Sequence, residues 1–250
     1  MNAPVKPSRR RRTTTRVAKS NPVRLQPRRL SASALILRDL RTDIMALRRA
    51  PGTAINEKDI ASSYNVSRTP VREALLKLAE EGLIEIFPQS GTFVSRIPLY
   101  ALRENIVIRQ ALEMMSARLA ASRATEEDCE ALSEIMKRLA KAAEELDHNE
   151  FHEADEDFHA MISQIAGYPG LWRMTQLVKV QMDRCRRLTL PQAGRLIRVI
   201  SEHQDIVDAI RNADVNAASH TMSEHLEKLM ADLDGIRDHD PDYFVDNPRS

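Results

Sequence analysis

The chain has 250 residues, 42% of them hydrophobic, which is enough apolar material for one large packed domain or two of ordinary size. Only 7 glycines and 4% aromatic residues favour a mainly helical protein and argue against an all-β sandwich or a glycine-rich dinucleotide-binding unit. The sequence has two cysteines, Cys129 and Cys185, no secretory signal and no apolar run of about 18 residues. We therefore expect a protein of the reducing cytoplasm, without a disulfide framework or a membrane segment.

The net charge of +1 conceals a strongly basic N-terminal segment. Residues 1–29 hold ten Lys or Arg and no acid, which leaves 27 basic against 36 acidic residues in the rest of the chain. The segment is rich in Pro, Ser and Thr and includes the run Arg9–Arg12, so it cannot form a core. We predict a disordered basic arm that attracts a polyanion, with a merely solubilising tail as the alternative.

Residues 30–98 begin with three predicted helices. Apolar residues recur at three- and four-residue spacing in the first helix, which stops at residues 50–52. Asn56 can cap a second helix. A third helix starts after Ser67 and ends at Gly82.

A β-hairpin is predicted directly after the third helix. Two alternating runs, Leu83–Phe87 and Thr92–Ile97, flank the turn residues 88–91. Three short helices followed by a hairpin predict a winged helix-turn-helix, in which the third helix lies in the DNA major groove and the hairpin contacts the backbone.

The start of the third helix carries residues suited to nucleic acid. Arg68 and Arg72 lie four residues apart on one face, beside the hydroxyls of Ser67 and Thr69. A helix N-terminus favours phosphate, and arginine can bind guanine with two hydrogen bonds. A solvated charged helix face is the alternative interpretation.

The motifs Ser67–Leu75, Leu78–Leu83 and Gly91–Val94 resemble the DNA-binding head of GntR-family bacterial transcription regulators. The resemblance covers about residues 33–97. It implies DNA contacts by Lys58, Arg68, Thr69 and Arg72 on the helices and by Ser90, Gly91 and Thr92 on the wing.

The rest of the chain predicts an all-α antiparallel bundle, because short loops separate long helical stretches, with breaks at residues 167–170 and at Pro191. Six helices are predicted near residues 100–122, 125–147, 149–166, 169–188, 194–212 and 214–235. The expected organisation is therefore an arm at 1–29, a winged helix-turn-helix domain at 30–98, a helical domain at 99–236 and a C-terminal tail at 237–250.

Four potential metal ligands lie on the apolar stripes of three of these helices, whereas Asp157 and His220 fall off the stripes. The four are Asp155, His159, His203 and His225. Polar groups that point into a core need partners, and a divalent metal ion such as Zn²⁺ satisfies a carboxylate and three imidazoles together. The alternative is that the four side chains are purely structural.

This second half is also similar to FCD, the ligand-sensing helical domain of FadR-like GntR regulators. The resemblance rests on Arg109–Glu113, Asp155–His159, Ser201–His203 and His225–Leu226. In that family the matching Asp and three His bind a metal, often zinc or nickel, and the matching Arg helps to hold a small carboxylate effector. The resemblance implies a divalent ion, zinc with nickel or manganese as alternatives, on Asp155, His159, His203 and His225, and an effector-binding role for Arg109.

Arg109 has a second interpretation. It lies among apolar residues, where a charge demands a partner, and Glu113 one turn later can supply it. Such an intrahelical pair would leave Arg109 without an effector role.

Together these features predict a metabolite-responsive transcription regulator, in the first place a repressor, located in the cytoplasm with the nucleoid. We expect a homodimer on a palindromic operator in double-stranded DNA, because one recognition helix reads only a few base pairs. The alternatives are a metal-dependent hydrolase fused to a DNA-binding head and an architectural DNA-binding protein with a passive bundle. We expect no enzyme, since the sequence has no HExxH motif and no inward carboxylate remains as a general base once Asp155 is a ligand.

Overall fold

The computed structural model describes residues 30–192, 194–239 and 241–246, and for residues 230–236 and 238–239 it describes the backbone only. The predicted basic arm therefore lies outside the described residues. Within them, a winged helix-turn-helix is followed by a helical bundle, which confirms the predicted fold class. Among these residues no helix has both the length and the apolar character that spanning a membrane requires.

The head contains three helices and a small antiparallel sheet. Its helices are α1 (Ala32–Met45), α2 (Glu57–Ser63) and α3 (Arg68–Glu80), and its strands are β1 (Ala54–Ile55), β2 (Ile84–Phe87) and β3 (Gly91–Val94). The strand order is β1-β3-β2, with Ile84 opposite Val94 and Phe87 opposite Gly91. The predicted hairpin is present, although its second strand ends at Val94, and the two-residue β1 is too short for an alternating pattern to predict.

Local capping explains where the helices of the head begin and end. The Asn56 side chain accepts a hydrogen bond from the backbone N–H of Lys58 at 2.9 Å and so caps α2. At the end of α3 the N–H of Leu83 donates to the carbonyl of Leu78, while Gly82 adopts a φ of +70°. This Schellman arrangement needs a left-handed residue, which glycine supplies without strain, and it turns the chain directly from α3 into β2.

The bundle of the described residues contains seven helices, not the six predicted. They are α4 (Leu99–Arg123), α5 (Glu126–Glu144), α6 (His148–Ile165), α7 (Pro169–Val178), α8 (Val180–Thr189), α9 (Arg195–Arg211) and α10 (Val215–His239). The predicted helix at 169–188 is divided at Lys179. The ammonium of Lys179 is buried 2.5 Å from carboxylate oxygens of both Glu156 and Asp183. Because Glu156 belongs to another helix, the periodicity of residues 169–188 could not predict this ion cluster.

The last described residues pack against the start of the bundle. After α10, a 3₁₀ turn at Pro241–Tyr243 leads into β5 (Phe244–Val245), which pairs in parallel with β4 (Ile97–Pro98). Phe244 is buried opposite Ile97. Part of the segment assigned to the C-terminal tail is therefore a strand that contacts the linker into α4.

Helix α8 contacts both halves of the protein. Val180 belongs to the hydrophobic core of the head, whereas Met182 and Cys185 pack with residues of α4 and α10. The fully buried guanidinium of Arg184 donates a hydrogen bond of 2.7 Å to the carbonyl of Ser95, just after β3. One short helix thus joins the wing of the head to the interior of the bundle.

Candidate DNA-binding surface and metal centre

The start of α3 presents a polar, exposed surface. Ser67 is the N-cap residue of α3, yet its side chain makes no capping hydrogen bond. Arg68, Thr69 and Arg72 are exposed beside it, and Lys58 is exposed on α2. Hydroxyls and guanidinium groups therefore surround the positive end of the α3 helix dipole, as a phosphate-binding surface requires.

Glu57 of α2 holds both arginines of this surface. Its Oε2 accepts hydrogen bonds from Nη2 of Arg68 at 2.8 Å and from Nε of Arg72 at 3.0 Å. Burial would raise the pKa of the Glu57 carboxyl, but the hydrogen bonds from Arg68 and Arg72 lower that pKa below its usual value. Each guanidinium has five donors, so both keep donors for a second partner. The sequence analysis missed Glu57, because its pairing depends on how α2 crosses α3.

The three residues assigned to the wing differ in their exposure. Ser90 and Gly91 are exposed at the tip, where Gly91 has a φ of +118° that favours glycine. Thr92 is only 8% exposed and pairs with Ile86 of β2 and Ile55 of β1. Its side chain lies on the covered face of the sheet, so Ser90 and Gly91 are the wing positions open to a partner.

The four predicted metal ligands lie together inside the bundle. Asp155 and His159 come from α6, His203 from α9 and His225 from α10, and all four are buried. One ligand atom from each lies within 4.8 Å of the others. Nε2 of His203 is 3.4 Å from Nε2 of His225 and 3.5 Å from Oδ1 of Asp155. Three helices therefore place one carboxylate and three imidazoles around one point.

The two residues that fall off the stripes lie elsewhere. Asp157 forms an ion pair of 2.6 Å with Arg138 at the surface. His220 is 73% exposed and faces Glu224 on the same helix. Neither residue belongs to the cluster.

Two carboxylates outside the cluster orient its imidazole rings. Oε2 of Glu202 is 2.8 Å from Nδ1 of His225, and Oε2 of Glu113 is 2.5 Å from Nδ1 of His159. A carboxylate at Nδ1 leaves Nε2 to face a metal ion, an arrangement common around protein-bound metals. Both ring nitrogens of His159 are buried without a hydrogen bond of good geometry, and a metal ion would satisfy Nε2. The residues present therefore fit a divalent ion.

The protonation of the cluster also suits a metal ion. Burial lowers the pKa values of His203 and His225 well below the ordinary histidine value, so both imidazoles are neutral at pH 7. Burial would raise the pKa of the Asp155 carboxyl, but the guanidinium of Arg186 and the three neighbouring imidazoles together lower that pKa. Neutral imidazoles and an ionised carboxylate are the forms that bind metals.

A second group of potential ligands, formed by His152, Asp155 and Glu156, shares one carboxylate with the cluster. Glu156 is already held by Lys179 at 2.5 Å. Burial lowers the pKa of His152 to about 4, but this histidine lies at the partly exposed side of α6. The four-residue cluster is the better candidate metal centre.

Arg109 is buried and makes the intrahelical ion pair that formed the alternative interpretation. Its Nε donates to Oε1 of Glu113, whose second oxygen faces His159. Its Nη2 has no hydrogen-bond partner. The side chain also lines a small cavity beside His225, with room for about one water molecule. Arg109 therefore has a structural partner and keeps one buried donor without a hydrogen bond.

The sequence analysis missed Arg186 of α8, which enters the cluster. Its Nη1 and Nη2 donate to the two carboxylate oxygens of Asp155, the second at 2.9 Å. Its Nη2 is also 3.5 Å from Nε2 of His225. The arginine-rich sequence of α8 is typical of an exposed helix, and only packing reveals that Arg186 points inward.

An exposed basic recognition helix and a wing, joined to a helical domain with a buried polar cluster, define a DNA-binding regulator with a sensory domain. Residues 32–94 match the family model described as bacterial regulatory proteins, gntR family, and residues 104–228 match the model of the FCD domain. The chain belongs to the GntR family of bacterial transcriptional regulators and carries an FCD domain. These proteins are regulators and not enzymes, which removes the hydrolase alternative.

Relatives of known name support the assignment. The HTH-type transcriptional repressor RspR of Escherichia coli (strain K12) is 37% identical over 209 residues, which cover 84% of this chain and 92% of RspR. A probable D-xylose utilization operon transcriptional repressor of Paenarthrobacter nicotinovorans is 30% identical over 177 residues, or 70% and 76% of the two chains. The solved structure of E. coli McbR/YncC has the same fold, with a TM-score of 0.70 and 24% identity over 83% of this chain and 99% of its own.

Proposed function

We propose that this GntR-family regulator is a cytoplasmic, homodimeric repressor whose FCD domain binds a divalent metal ion and a small carboxylate effector. The observation that carries the proposal is the convergence of Asp155, His159, His203 and His225, with Glu113 and Glu202 behind two of the imidazoles. An architectural protein with a passive bundle has no need for such a cluster, because buried polar groups cost free energy unless they are satisfied.

The metal ion would be held by the carboxylate of Asp155 and the three imidazoles. This donor set suits Zn²⁺, with Ni²⁺ or Mn²⁺ as alternatives. When bound, the ion supplies a Lewis-acidic centre with open positions for oxygen atoms of a carboxylate or an α-hydroxy acid.

The effector would occupy the cavity next to the cluster. Three buried guanidinium groups, those of Arg109, Arg186 and Arg195, line this cavity. Guanidinium groups bind carboxylates with charge-assisted hydrogen bonds. The cavity admits about one water molecule, so binding of an organic acid requires side chains to move.

The head would bind a palindromic operator as one half of a dimer, with Lys58, Ser67, Arg68, Thr69 and Arg72 as the contacts of the helices and Ser90 and Gly91 as those of the wing. Thr92 is set aside because it is buried. Repression is supported by two relatives that are named repressors. An effector can change DNA binding only if it favours one arrangement of the bundle over another. Operator DNA must then change effector affinity by the same factor.

An apolar stripe on α4 supports the homodimer. Val107, Ala111 and Met115 follow each other at four-residue spacing and are exposed, with Ile108 beside them. A contiguous exposed apolar face is typical of an interface with another protein. A second copy of this chain matches it with the two-fold symmetry that a palindromic operator demands.

Elemental analysis of the untagged protein, purified without chelators, tests the metal site. We expect about one ion per chain, and a clear loss of metal when Asp155, His159, His203 or His225 is changed to alanine. His220→Ala and Asp157→Ala are the controls, because both side chains lie at the surface. Metal-free wild-type protein, or equal metal loss in the two controls, would contradict the proposed site and favour a passive bundle.

A further inference from the structure

The guanidinium of Arg186 contacts two of the four residues that a metal ion in this cluster would use, Asp155 and His225. It donates to both oxygens of Asp155, and its Nη2 is 3.5 Å from Nε2 of His225. Because Nδ1 of His225 faces Glu202, its Nε2 carries the lone pair. A planar cation with two parallel donors is thus seated on a carboxylate and beside an imidazole, as a metal cation would be.

Cationic side chains already offset the carboxylates around the cluster, and Nζ of Lys228 lies 3.3 Å from Oε1 of Glu202. The buried carboxylates of Glu113, Asp155 and Glu202 lie among the buried guanidinium groups of Arg109, Arg186 and Arg195. A divalent ion would add two positive charges to this set, and Arg186 contacts two of the residues that would hold it. Its guanidinium and a metal ion would repel each other strongly at such short range in a buried site.

We propose that the guanidinium of Arg186 competes with a metal ion for Asp155 and His225, and that a bound metal releases this guanidinium to bind an anionic group of the effector. The inference rests on the proposed metal and effector site and adds to it a competing side chain. It requires no change in the ligands themselves, since Arg186 comes from α8 while the four ligands come from α6, α9 and α10.

The release would also create the anion site. Arg186 already lines the cavity with Arg109 and Arg195, so its freed guanidinium can meet a carboxylate there once the lining side chains make room for it. An anion would then offset the charge of the ion and favour its binding. Metal and anion should therefore bind with positive cooperativity that depends on Arg186.

The change in Zn²⁺ affinity on substitution of Arg186 distinguishes competition with the metal from a role in positioning the metal ligands. Arg186→Met keeps an unbranched apolar stem but removes the competing cation, so we expect Zn²⁺ to bind about tenfold or more tightly than to wild type. A residue that merely oriented Asp155 would weaken metal binding on removal. Arg187→Met on the same helix is the matched control, because Arg187 donates to Asn149 and lies outside the cluster. Chelator competition on the full chain gives the affinities.

The outcomes distinguish the inference from the proposed function. Tighter Zn²⁺ binding by Arg186→Met, or binding by this variant alone, supports the inference. Equal or weaker binding than to wild type overturns it and leaves the metal site intact, whereas no Zn²⁺ binding by either protein overturns both. Should Arg186→Met not fold, Arg186→Lys keeps the charge but loses the two parallel donors, and it should show a smaller gain in the same direction.

A separate measurement tests whether Arg186 binds an anion. The Zn²⁺ affinity of the wild type is determined with and without acetate, lactate and malonate at millimolar concentrations. At least one anion should raise the affinity of the wild type and of Arg187→Met, and none should raise that of Arg186→Met. If no anion changes the wild-type affinity, or if Arg186→Met responds equally, the anion-binding role of Arg186 is wrong.

Discussion

Glu57 shows how one side chain can prepare a surface for recognition. It accepts from Arg68 and Arg72 at once, which restricts two long side chains that would otherwise lose rotamer freedom on binding DNA. The two ion pairs lie at the surface and contribute little to folding stability, so their importance lies in orienting the two guanidinium groups. A fixed guanidinium can discriminate between bases better than a mobile one.

At the residue scale we predict that Arg68→Ala and Arg72→Ala reduce the preference for the operator over random DNA. Loss of a base contact costs about 1–3 kcal/mol of discrimination. Titration of labelled operator and of random duplex at one salt concentration gives the preference.

Two controls accompany this measurement. Lys137→Ala removes an exposed charge of α5, far along the chain from the head, and should leave the preference unchanged. Deletion of residues 1–29 should weaken binding to all DNA alike and flatten the salt dependence, because its ten basic residues attract phosphates regardless of base sequence. If the deletion abolished the preference and the two arginine variants retained it, the assignment of α3 as the recognition helix would be wrong.

At the element scale, α8 connects the candidate metal-binding cluster to the head. Arg186 reaches Asp155, and Arg184 two residues earlier reaches the carbonyl of Ser95 after the wing. Gln181 on the same helix donates to the carbonyl of Gly82 at the end of α3. A displacement of α8 would therefore act on both the wing and the recognition helix.

We predict that Arg184→Met destabilises the protein by about 1.5–3 kcal/mol, since it removes a buried, charge-assisted hydrogen bond and leaves the carbonyl of Ser95 without that donor. Chemical denaturation measures the change in the free energy of unfolding. Arg173→Met, at an exposed position of α7, should stay within about 0.5 kcal/mol of wild type. A decrease in the free energy of unfolding no larger than that of the control would mean that Arg184 does not stabilise the contact between the head and the bundle.

At the scale of the whole molecule, the exposed stripe of α4 is the feature that a single chain leaves unexplained. Val107 is 64% exposed and Met115 is 47% exposed, on a helix whose opposite face carries Arg109 and Glu113 into the cluster. An interface on α4 would thus place the partner chain directly behind the sensory site. Effector binding and dimer geometry would then share one helix.

We predict that the double variant Val107→Glu with Met115→Glu converts the dimer into a monomer, because charges buried in an interface without partners cost several kcal/mol. Light scattering coupled to size-exclusion chromatography measures the mass. Ile197→Glu changes an exposed apolar residue of α9 and should remain dimeric. A dimeric double variant would place the interface on another surface.

Periodicity predicted much of the fold, because it depends on neighbours three or four residues apart. It placed the helices of the head, the hairpin and the inward phase of Asp155 and His159 correctly in the described structure. It did not predict the break at Lys179, a residue that forms an ion pair with Glu156 of a different helix. Periodicity also failed to predict strands β4 and β5, because each is two residues long and its partner is distant in the sequence.

The sequence by itself determined the class of protein and the identities of the side chains that carry its chemistry, since motifs and helical phase are local properties. The tertiary structure alone decided which charges meet. Glu57 between two arginines, Glu202 behind His225 and Arg186 on Asp155 are contacts between different helices. Such contacts depend on how helices cross, and an arginine in the sequence looks the same whether it will face solvent or a buried carboxylate.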